Sequence, residues 1–214
     1  DHEDEEVRAA IERVAGEDVI WVPRAGEDAQ EVARRMASVI GTRIGWKDME
    51  TDVVWPGRSM DRTNWSGAEL VLSAAHNSES LSHDLGRLGS ERHVLVVGMT
   101  QKEDLSESIE PLLRTEGRIR TIVTEVHGGR TPSVHAEHLS ESLSADSGGP
   151  PLIIKEPIEA IDTASREASK EGCIVFVTGS VYLVGQAVEE MVSRENGNLW
   201  EYLEAHRPRE QTEV

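Results

Sequence analysis

The chain has 214 residues, of which 37% are hydrophobic, and its formal net charge is −18. A surface this acidic repels phosphate groups, so the composition argues against binding to nucleic acid or to an anionic membrane. A single cysteine excludes an intrachain disulfide, and no apolar stretch is long enough to span a membrane.

Apolar residues recur along the chain with the period of a helix in some segments and as continuous runs in others. Continuous apolar runs predict strands at residues 19–22, 69–72, 93–97, 120–124, 152–154 and 174–177. Apolar residues spaced three or four apart predict helices at 7–14, 29–40, 81–89, 105–113, 134–143 and 157–170, with a last helix after residue 180. Pro111 is expected to break or kink the fourth of these helices.

Strands and helices alternate about five times in the larger part of the chain, and the predicted strands are apolar throughout. Strands of this kind are typical of a parallel sheet that is buried on both faces. We therefore predict an α/β fold, a three-layer Rossmann-like domain with a mostly parallel sheet flanked by helices. Ligands bind beyond the carboxyl ends of such strands, so the loops after Leu72, Val97, Thr124 and Val177 should share one rim.

The sharpest local signal lies at the junction of the last strand and helix, where residues 177–185 read Val-Thr-Gly-Ser-Val-Tyr-Leu-Val-Gly. Gly179 allows a tight turn, and Ser180 can cap the helix that follows. The start of a helix also favours a bound carboxylate or phosphate. Spacing alone favours simple helix capping over ligand binding.

The whole nine-residue string resembles the C-terminal Thr-Gly-Ser-x-Tyr-Leu-Val-Gly signature of the folylpolyglutamate and dihydrofolate synthases, relatives of the Mur ligases. Trp55–Arg58 resembles the Trp-Pro-Gly-Arg motif at the entry to that family's C-terminal domain. Ala75-His76-Asn77 resembles the end of its Asp-Gly-Ala-His-Asn motif, and Gly98–Asp104 is a weaker match. The resemblance covers roughly residues 50–195.

The resemblance implies an ATP-dependent ligase that joins L-glutamate to a carboxylate of folate or dihydropteroate through an acyl phosphate. It implies ATP and Mg²⁺ as cofactors, held mainly by a central ATPase domain of the same protein. Since the sequence shows no membrane span and no signal peptide, the cytoplasm is the expected location. Carried over by motif position, the implied ATP contacts are Arg58, Ser73 and Lys102, and the implied glutamate contacts are His76, Asn77 and Ser180. No residue is assigned a certain catalytic role, and no metal ligand is expected in this chain.

Three departures from the family pattern qualify these expectations. Ser73-Ala74 stands where the family has Asp-Gly, and Met60 stands where an acidic residue is usual. The chain also has no Gly-x-x-x-x-Gly-Lys-Ser/Thr phosphate loop. Because it begins with Asp1 rather than Met, we expect a fragment of a longer protein that is inactive by itself.

The expected organisation has three parts. Residues 1–50 are the residual end of a central domain or an N-terminal appendage, 51–195 form the Rossmann-like domain of the Mur ligase C-terminal type, and 196–214 form a polar tail. Two alternatives stay open: a diverged Mur-ligase-like protein, and a nucleotide-binding module without catalysis. The sequence does not separate dihydrofolate synthase from folylpolyglutamate synthase activity, and it does not give the oligomeric state.

Several further residues have two interpretations each. His127, His135 and His138 could begin a metal site, but surface histidines are the simpler interpretation. Arg130 is either an anion-binding residue on the rim or a solvated loop arginine. Trp65, in a polar segment, is expected to make a surface, interdomain or ligand contact, and Cys173 is expected to be a small core residue.

Overall fold

The computed structural model of the chain describes residues 5–16, 19–22, 29–46, 56–58, 60–144, 149–195 and 197–198. The chain divides into two compact units, Asp1–Val53 and Val54–Val214. Within the described ranges, no helix is both long and apolar enough to cross a membrane. The predicted tail falls almost wholly outside these ranges, as does Trp55 of the Trp-Pro-Gly-Arg motif.

The first unit contains helices α1 (Glu5–Ala15) and α2 (Ala29–Arg43). The predicted strand at residues 19–22 is wrong, because this segment is irregular and the described part of the unit holds no strand with which it could pair. Trp21 instead contacts α1: its indole Nε1 donates to Glu12 Oε1 at 2.8 Å. The guanidinium of Arg8 lies 4.8 Å from the centre of the Trp21 ring.

The second unit contains a six-stranded sheet. Its strands are β1 (Asp61–Trp65), β2 (Ala68–Leu72), β3 (His93–Val97), β4 (Arg118–Val123), β5 (Leu152–Ile153) and β6 (Ile174–Thr178). Its helices are α3 (Ser78–Leu88), α4 (Leu105–Leu113), α5 (Ala136–Leu143), α6 (Pro157–Glu171) and α7 (Val181–Arg194). The strand order is β1-β2-β6-β3-β4-β5, and every pair is parallel except β1 with β2. The predicted α/β class with a mostly parallel, helix-flanked sheet is confirmed.

Alternate residues of the central strands face two separate hydrophobic cores. Val94 and Val96 of β3 point to the core formed with α6 and α7. Leu95 and Val97 point to the core formed with α3, α4 and α5. Because both faces are covered, these strands have no solvated side, and this is why they lack the alternation of apolar and polar residues.

Strand β1 was not predicted, because its sequence, Asp-Arg-Thr-Asn-Trp, has almost no apolar signal. It pairs antiparallel with β2 through a two-residue turn, Ser66-Gly67. Both turn residues have positive φ angles, +51° and +87°, as a type I′ hairpin turn requires. The Ser-Gly pair was thus a local signal for this hairpin.

The side chain of Trp65 is buried, which corrects the expectation of a surface, interdomain or ligand contact. Its relative exposure is 2%. The indole Nε1 donates to Asp162 Oδ1 of α6 at 2.6 Å. Arg194 of α7 lies 4.4 Å from the centre of the ring and pairs with Asp162 Oδ2 at 3.0 Å. This cluster joins the edge strand to two helices.

Helix boundaries follow the signals in the sequence where those signals are strong. Pro157 lies in the first turn of α6, and Gly172 ends that helix in the left-handed conformation. Helix α4 continues through Pro111 and ends two residues later. The proline cannot donate a backbone hydrogen bond to the carbonyl four residues earlier, and the helix ends within one turn of it.

Candidate functional site

Three of the motif segments meet at the carboxyl rim of the sheet, where backbone hydrogen bonds join them. Ser73 N–H donates to Val177 O at 2.9 Å, and Gly179 N–H donates to Ala75 O at 2.9 Å. Ala74 N–H donates to Gly57 O at 2.7 Å. The turn at 56–58 and the loops after β2 and β6 therefore form one connected surface.

Gly57 holds the turn that presents Arg58. Its φ angle is +76°, and a Cβ atom there would lie 2.8 Å from Val184 Cγ1 and 3.1 Å from Ala74 N. Its own N–H donates to Asp61 Oδ2 at 2.6 Å. Arg58 follows on the surface, where it is exposed and has no hydrogen bond or ion pair with any described residue.

Asp61 is a residue that the motif comparison missed. The family pattern suggested an acidic residue at position 60, where Met60 is buried with a φ angle of +55°. The carboxylate is supplied one position later, at the start of β1, and it closes the turn through Gly57. The carboxylate of Asp61 therefore has a structural role at this turn.

Ser73 is fully buried, and its hydroxyl is occupied on every side. Ser73 Oγ donates to Asp84 Oδ2 at 2.6 Å and accepts from Ala75 N–H at 3.2 Å. Thr178 Oγ1 lies 3.2 Å from it on β6. With 0% exposure the hydroxyl does not face solvent, so this conformation does not offer the ATP contact expected of Ser73.

His76 and Asn77 follow directly after Ala75, and the side chain of each makes a hydrogen bond. His76 Nδ1 lies 3.0 Å from Ala74 O. Because a carbonyl only accepts, Nδ1 carries the proton and Nε2 is left as the acceptor in the neutral ring. Asn77 caps α3: its Oδ1 accepts from Ser80 N–H at 2.9 Å, within a reciprocal capping box.

Gly179 and Ser180 form the turn from β6 into α7. The φ angle of Gly179 is +101°, and a Cβ atom there would lie 2.7 Å from Gly98 O. Ser180 Oγ accepts from Tyr182 N–H at 3.2 Å, so Ser180 is the N-cap of α7. The residue is 3% exposed. Ser180 therefore caps α7, as the spacing alone predicted.

The loops after β3 and β4 continue the rim on the other side of β6. Gln101 N–H donates to Pro132 O at 2.9 Å, and Val134 N–H donates to Met99 O at 2.8 Å. Lys102 is half-buried, and within the part of the chain that the structure describes it has no hydrogen bond or ion pair. Asp104 caps α4 by accepting from Glu107 N–H at 2.9 Å, which assigns it a structural role.

The remaining candidates are three histidines and the single cysteine. His127, His135 and His138 are exposed. Across the described ranges, no group of three His, Cys, Asp or Glu side chains is arranged to hold a metal ion. Cys173 is half-buried against the core beside α6, and burial raises the pKa of its thiol.

Solved structures with this fold come from several bacteria. The chain aligns with a Mycobacterium tuberculosis folylpolyglutamate synthase complexed with ADP and AMPPCP, at a TM-score of 0.59 and 21% identity over 75% of this chain. It aligns with E. coli FolC in complex with ADP at a TM-score of 0.57 and 20% identity over 79% of the chain. A Thermotoga maritima folylpolyglutamate synthase aligns at a TM-score of 0.53 and 22% identity over 78%.

This chain has the fold found in folylpolyglutamate synthases. It spans 40%, 41% and 37% of the length of those three solved chains, respectively. No protein-family model matches the sequence, and no curated protein matches it. The likeness to the folylpolyglutamate synthases therefore establishes the fold, and the activity rests on the residues at the rim.

Proposed function

We propose that this chain is the C-terminal part of a cytoplasmic, ATP-dependent amide ligase of the folylpolyglutamate or dihydrofolate synthase type. The observation that carries the proposal is the junction of three motif segments, 56–58, 73–77 and 178–180, by direct backbone hydrogen bonds. Loops after neighbouring parallel strands share a rim in any such sheet. What supports the proposal is that the three motif matches, far apart in sequence, all fall on that rim and contact one another there.

The proposed reaction has two steps. A carboxylate of folate or dihydropteroate attacks the γ-phosphorus of ATP, which yields an acyl phosphate and ADP. The amine of L-glutamate then attacks the acyl carbon, phosphate leaves with the bonding electrons, and the nitrogen loses a proton to give the amide. Mg²⁺ would neutralise phosphate charge during the first step.

Arg58 is suited to bind phosphate oxygens. Its guanidinium is exposed and has no partner among the described residues, while the turn beneath it is fixed by the Gly57 contacts with Asp61 and Ala74. A guanidinium on a rigid support can bind two oxygens of one phosphate at once. Lys102 is a second cation without a partner on the same rim, and it would act as a point charge.

The glutamate substrate would lie near His76 and Ser180. With Nδ1 donating to Ala74 O, His76 Nε2 is free to accept a hydrogen bond from the incoming amine. Ser180 begins α7, the only helix described in this unit without an acidic residue in its first turn. An external carboxylate there would meet the positive end of the helix without repulsion from such a residue. Asn77 would act through the capping of α3.

The residues described here do not provide a complete nucleotide site. The sequence has no phosphate loop, and the described carboxylates form no metal-binding group. ATP and Mg²⁺ would therefore be held mainly by a central ATPase domain elsewhere in a longer protein. Closure of this domain over that site would add Arg58 to it.

A non-catalytic nucleotide-binding module is the second candidate. The sheet is intact while the sequence has no phosphate loop, which suits such a module. The buried Ser73 in place of the family's aspartate instead suits a diverged ligase with another substrate.

Complementation tests the proposal. A parent gene that includes an upstream phosphate loop would be placed in a bacterium that lacks its own folate ligase. Growth is expected with the parent and with Lys170→Gln, and not with Arg58→Ala or His76→Ala. Lys170 is the control because it is an exposed cation without a partner in the last turn of α6. Soluble parent protein without growth would contradict the folate-ligase assignment.

A further inference from the structure

Asp84 is a buried carboxylate on α3, outside the three motif segments of the rim. Its Oδ2 accepts from Ser73 Oγ at 2.6 Å, and its Oδ1 lies 2.9 Å from Nδ1 of the exposed His83. Burying a carboxylate is costly unless its oxygens are hydrogen-bonded. The bond to Ser73 therefore ties α3 firmly to the loop that follows β2.

The carboxylate fixes the direction of the Ser73 hydroxyl. A carboxylate only accepts, so the single hydroxyl hydrogen of Ser73 is donated to Asp84. The lone pairs of Ser73 Oγ are then left for other donors. Ala75 N–H donates to Oγ at 3.2 Å, and Thr178 Oγ1 lies 3.2 Å from it. All these residues are buried, and hydrogen bonds are stronger in such a low dielectric.

The Ala75 N–H and the Ala74 carbonyl belong to the same peptide group. That carbonyl oxygen lies 3.0 Å from His76 Nδ1. Because a trans peptide group is planar, its N–H and C=O point in opposite directions. Ser73 thus holds one end of this group, and the imidazole of His76 is bound at the other end.

The hydrogen bonds from His76 to Asp84 all run in one direction. The imidazole donates through Nδ1 to the Ala74 carbonyl. The N–H of the same peptide group donates to Ser73, and Ser73 donates to Asp84. A group that donates to an anion becomes a better acceptor itself, so bonds aligned in this way strengthen one another. The negative charge at the end of the chain therefore favours a proton on Nδ1 of His76.

We propose that Asp84 is a positioning residue for His76. Acting through Ser73 and the Ala74–Ala75 peptide group, it fixes the neutral imidazole in its Nδ1-protonated form and keeps Nε2 as an acceptor. This inference rests on the proposed function, because the incoming amine of glutamate would need an acceptor at Nε2. In serine proteases a carboxylate fixes the tautomer of a histidine by direct contact, whereas here a hydroxyl and a peptide group lie between them.

NMR spectroscopy of the ring nitrogens in the isotope-labelled 214-residue chain tests this proposal. Two-bond correlations at alkaline pH show which ring nitrogen carries the proton, and comparison with His76→Gln identifies the signals of His76. The native chain should show the Nδ1-protonated form alone. Asp84→Asn should retain it, because the amide oxygen still accepts from Ser73. Asp84→Ala should lose it, and the ring should exchange between its two tautomers.

Two further variants separate positioning from a general loss of stability. Leu139→Ala removes a buried side chain from α5, which packs on α4, β4 and β5, so it should lower stability and leave the tautomer of His76 unchanged. The double variant Ser73→Ala/Asp84→Ala leaves neither a buried hydroxyl nor a buried carboxylate unpaired, so it should fold. It should nevertheless lose the single tautomer.

Three results would overturn the proposal. They are an unchanged tautomer in Asp84→Ala and the double variant, a loss in Asp84→Asn as large as in Asp84→Ala, and a loss in Leu139→Ala. The ring signals do not depend on ligase activity. An Asp84-dependent tautomer with no growth of the complemented strain would contradict the ligase alone, and growth with an Asp84-independent tautomer would contradict the positioning role alone.

Discussion

The hydroxyl of Ser73 donates a hydrogen bond to Asp84 Oδ2 at 2.6 Å, between a residue at the end of β2 and a residue of α3. Both side chains are buried. Asp84 Oδ1 also lies 2.9 Å from His83 Nδ1. Asp84 therefore places a carboxylate beside Ser73, the position at which the family motif has an aspartate. Asp84 lies eleven residues later in the sequence.

We expect Ser73→Asp to destabilise the chain by about 3 kcal/mol, because it would bury two carboxylates side by side. Asp84→Asn alone should cost about 1 kcal/mol, since the amide oxygen can still accept from Ser73. The double variant should be more stable than Ser73→Asp, because the asparagine amide can donate to the new carboxylate. Urea unfolding of all four chains measures this coupling, and additive losses would contradict it.

Gly57→Ala should destabilise the second unit by about 2 kcal/mol or more. The substitution meets both a positive φ angle and the Val184 side chain at 2.8 Å. Gly67→Ala is the matched control, because Gly67 also has a positive φ angle but a Cβ atom added there would meet no other atom within 4 Å. It should cost about 1 kcal/mol, and equal losses in urea unfolding would show that the Val184 contact is unimportant.

His93 should make the stability of the chain depend on pH. The ring is fully buried, its Nδ1 donates to Glu91 O at 2.7 Å, and its Nε2 has no partner among the described residues. Burial, with a further contribution from Arg118, lowers the pKa of His93 below its ordinary value.

His93 is therefore harder to protonate in the folded chain than in the unfolded chain. Stability should be unaffected by this group above a pH of about 6.5 and should fall as the pH decreases below that value. His93→Leu should flatten this part of the pH profile in urea unfolding. Phe176→Leu, which removes only the ring neighbour of His93, should lower stability without changing the slope. An unchanged slope in His93→Leu would exclude His93 as the source.

Trp65→Phe should destabilise the chain by about 1–2 kcal/mol. It removes the hydrogen bond to Asp162 and weakens the stacking of Arg194, while the aromatic ring remains in the core. Trp46→Phe is the control, because Trp46 is 63% exposed. Equal unfolding midpoints for Trp65→Phe and the native chain would show that the cluster contributes little.

The sequence by itself determined the parts of the fold that depend on local order. Continuous apolar runs identified β2, β3 and β6, and they did so because strands buried on both faces tolerate few polar residues. Pro157 and Gly172 marked the ends of α6 through their own backbone preferences. The parallel order then required the motif loops to share a rim.

Tertiary structure decided what depends on partners distant in sequence. Strand β1 is polar and is a strand only because it pairs with β2. The run at 19–22 is apolar but has no such partner among the described residues. The hydrogen bonds of Asp84 with Ser73 and of Asp162 with Trp65 depend on how α3 and α6 pack against the sheet. No local pattern in the sequence predicts that packing. Among the described arginines of the second unit, Arg58 and Arg130 differ from the others by the lack of a partner, which is a property of the folded chain.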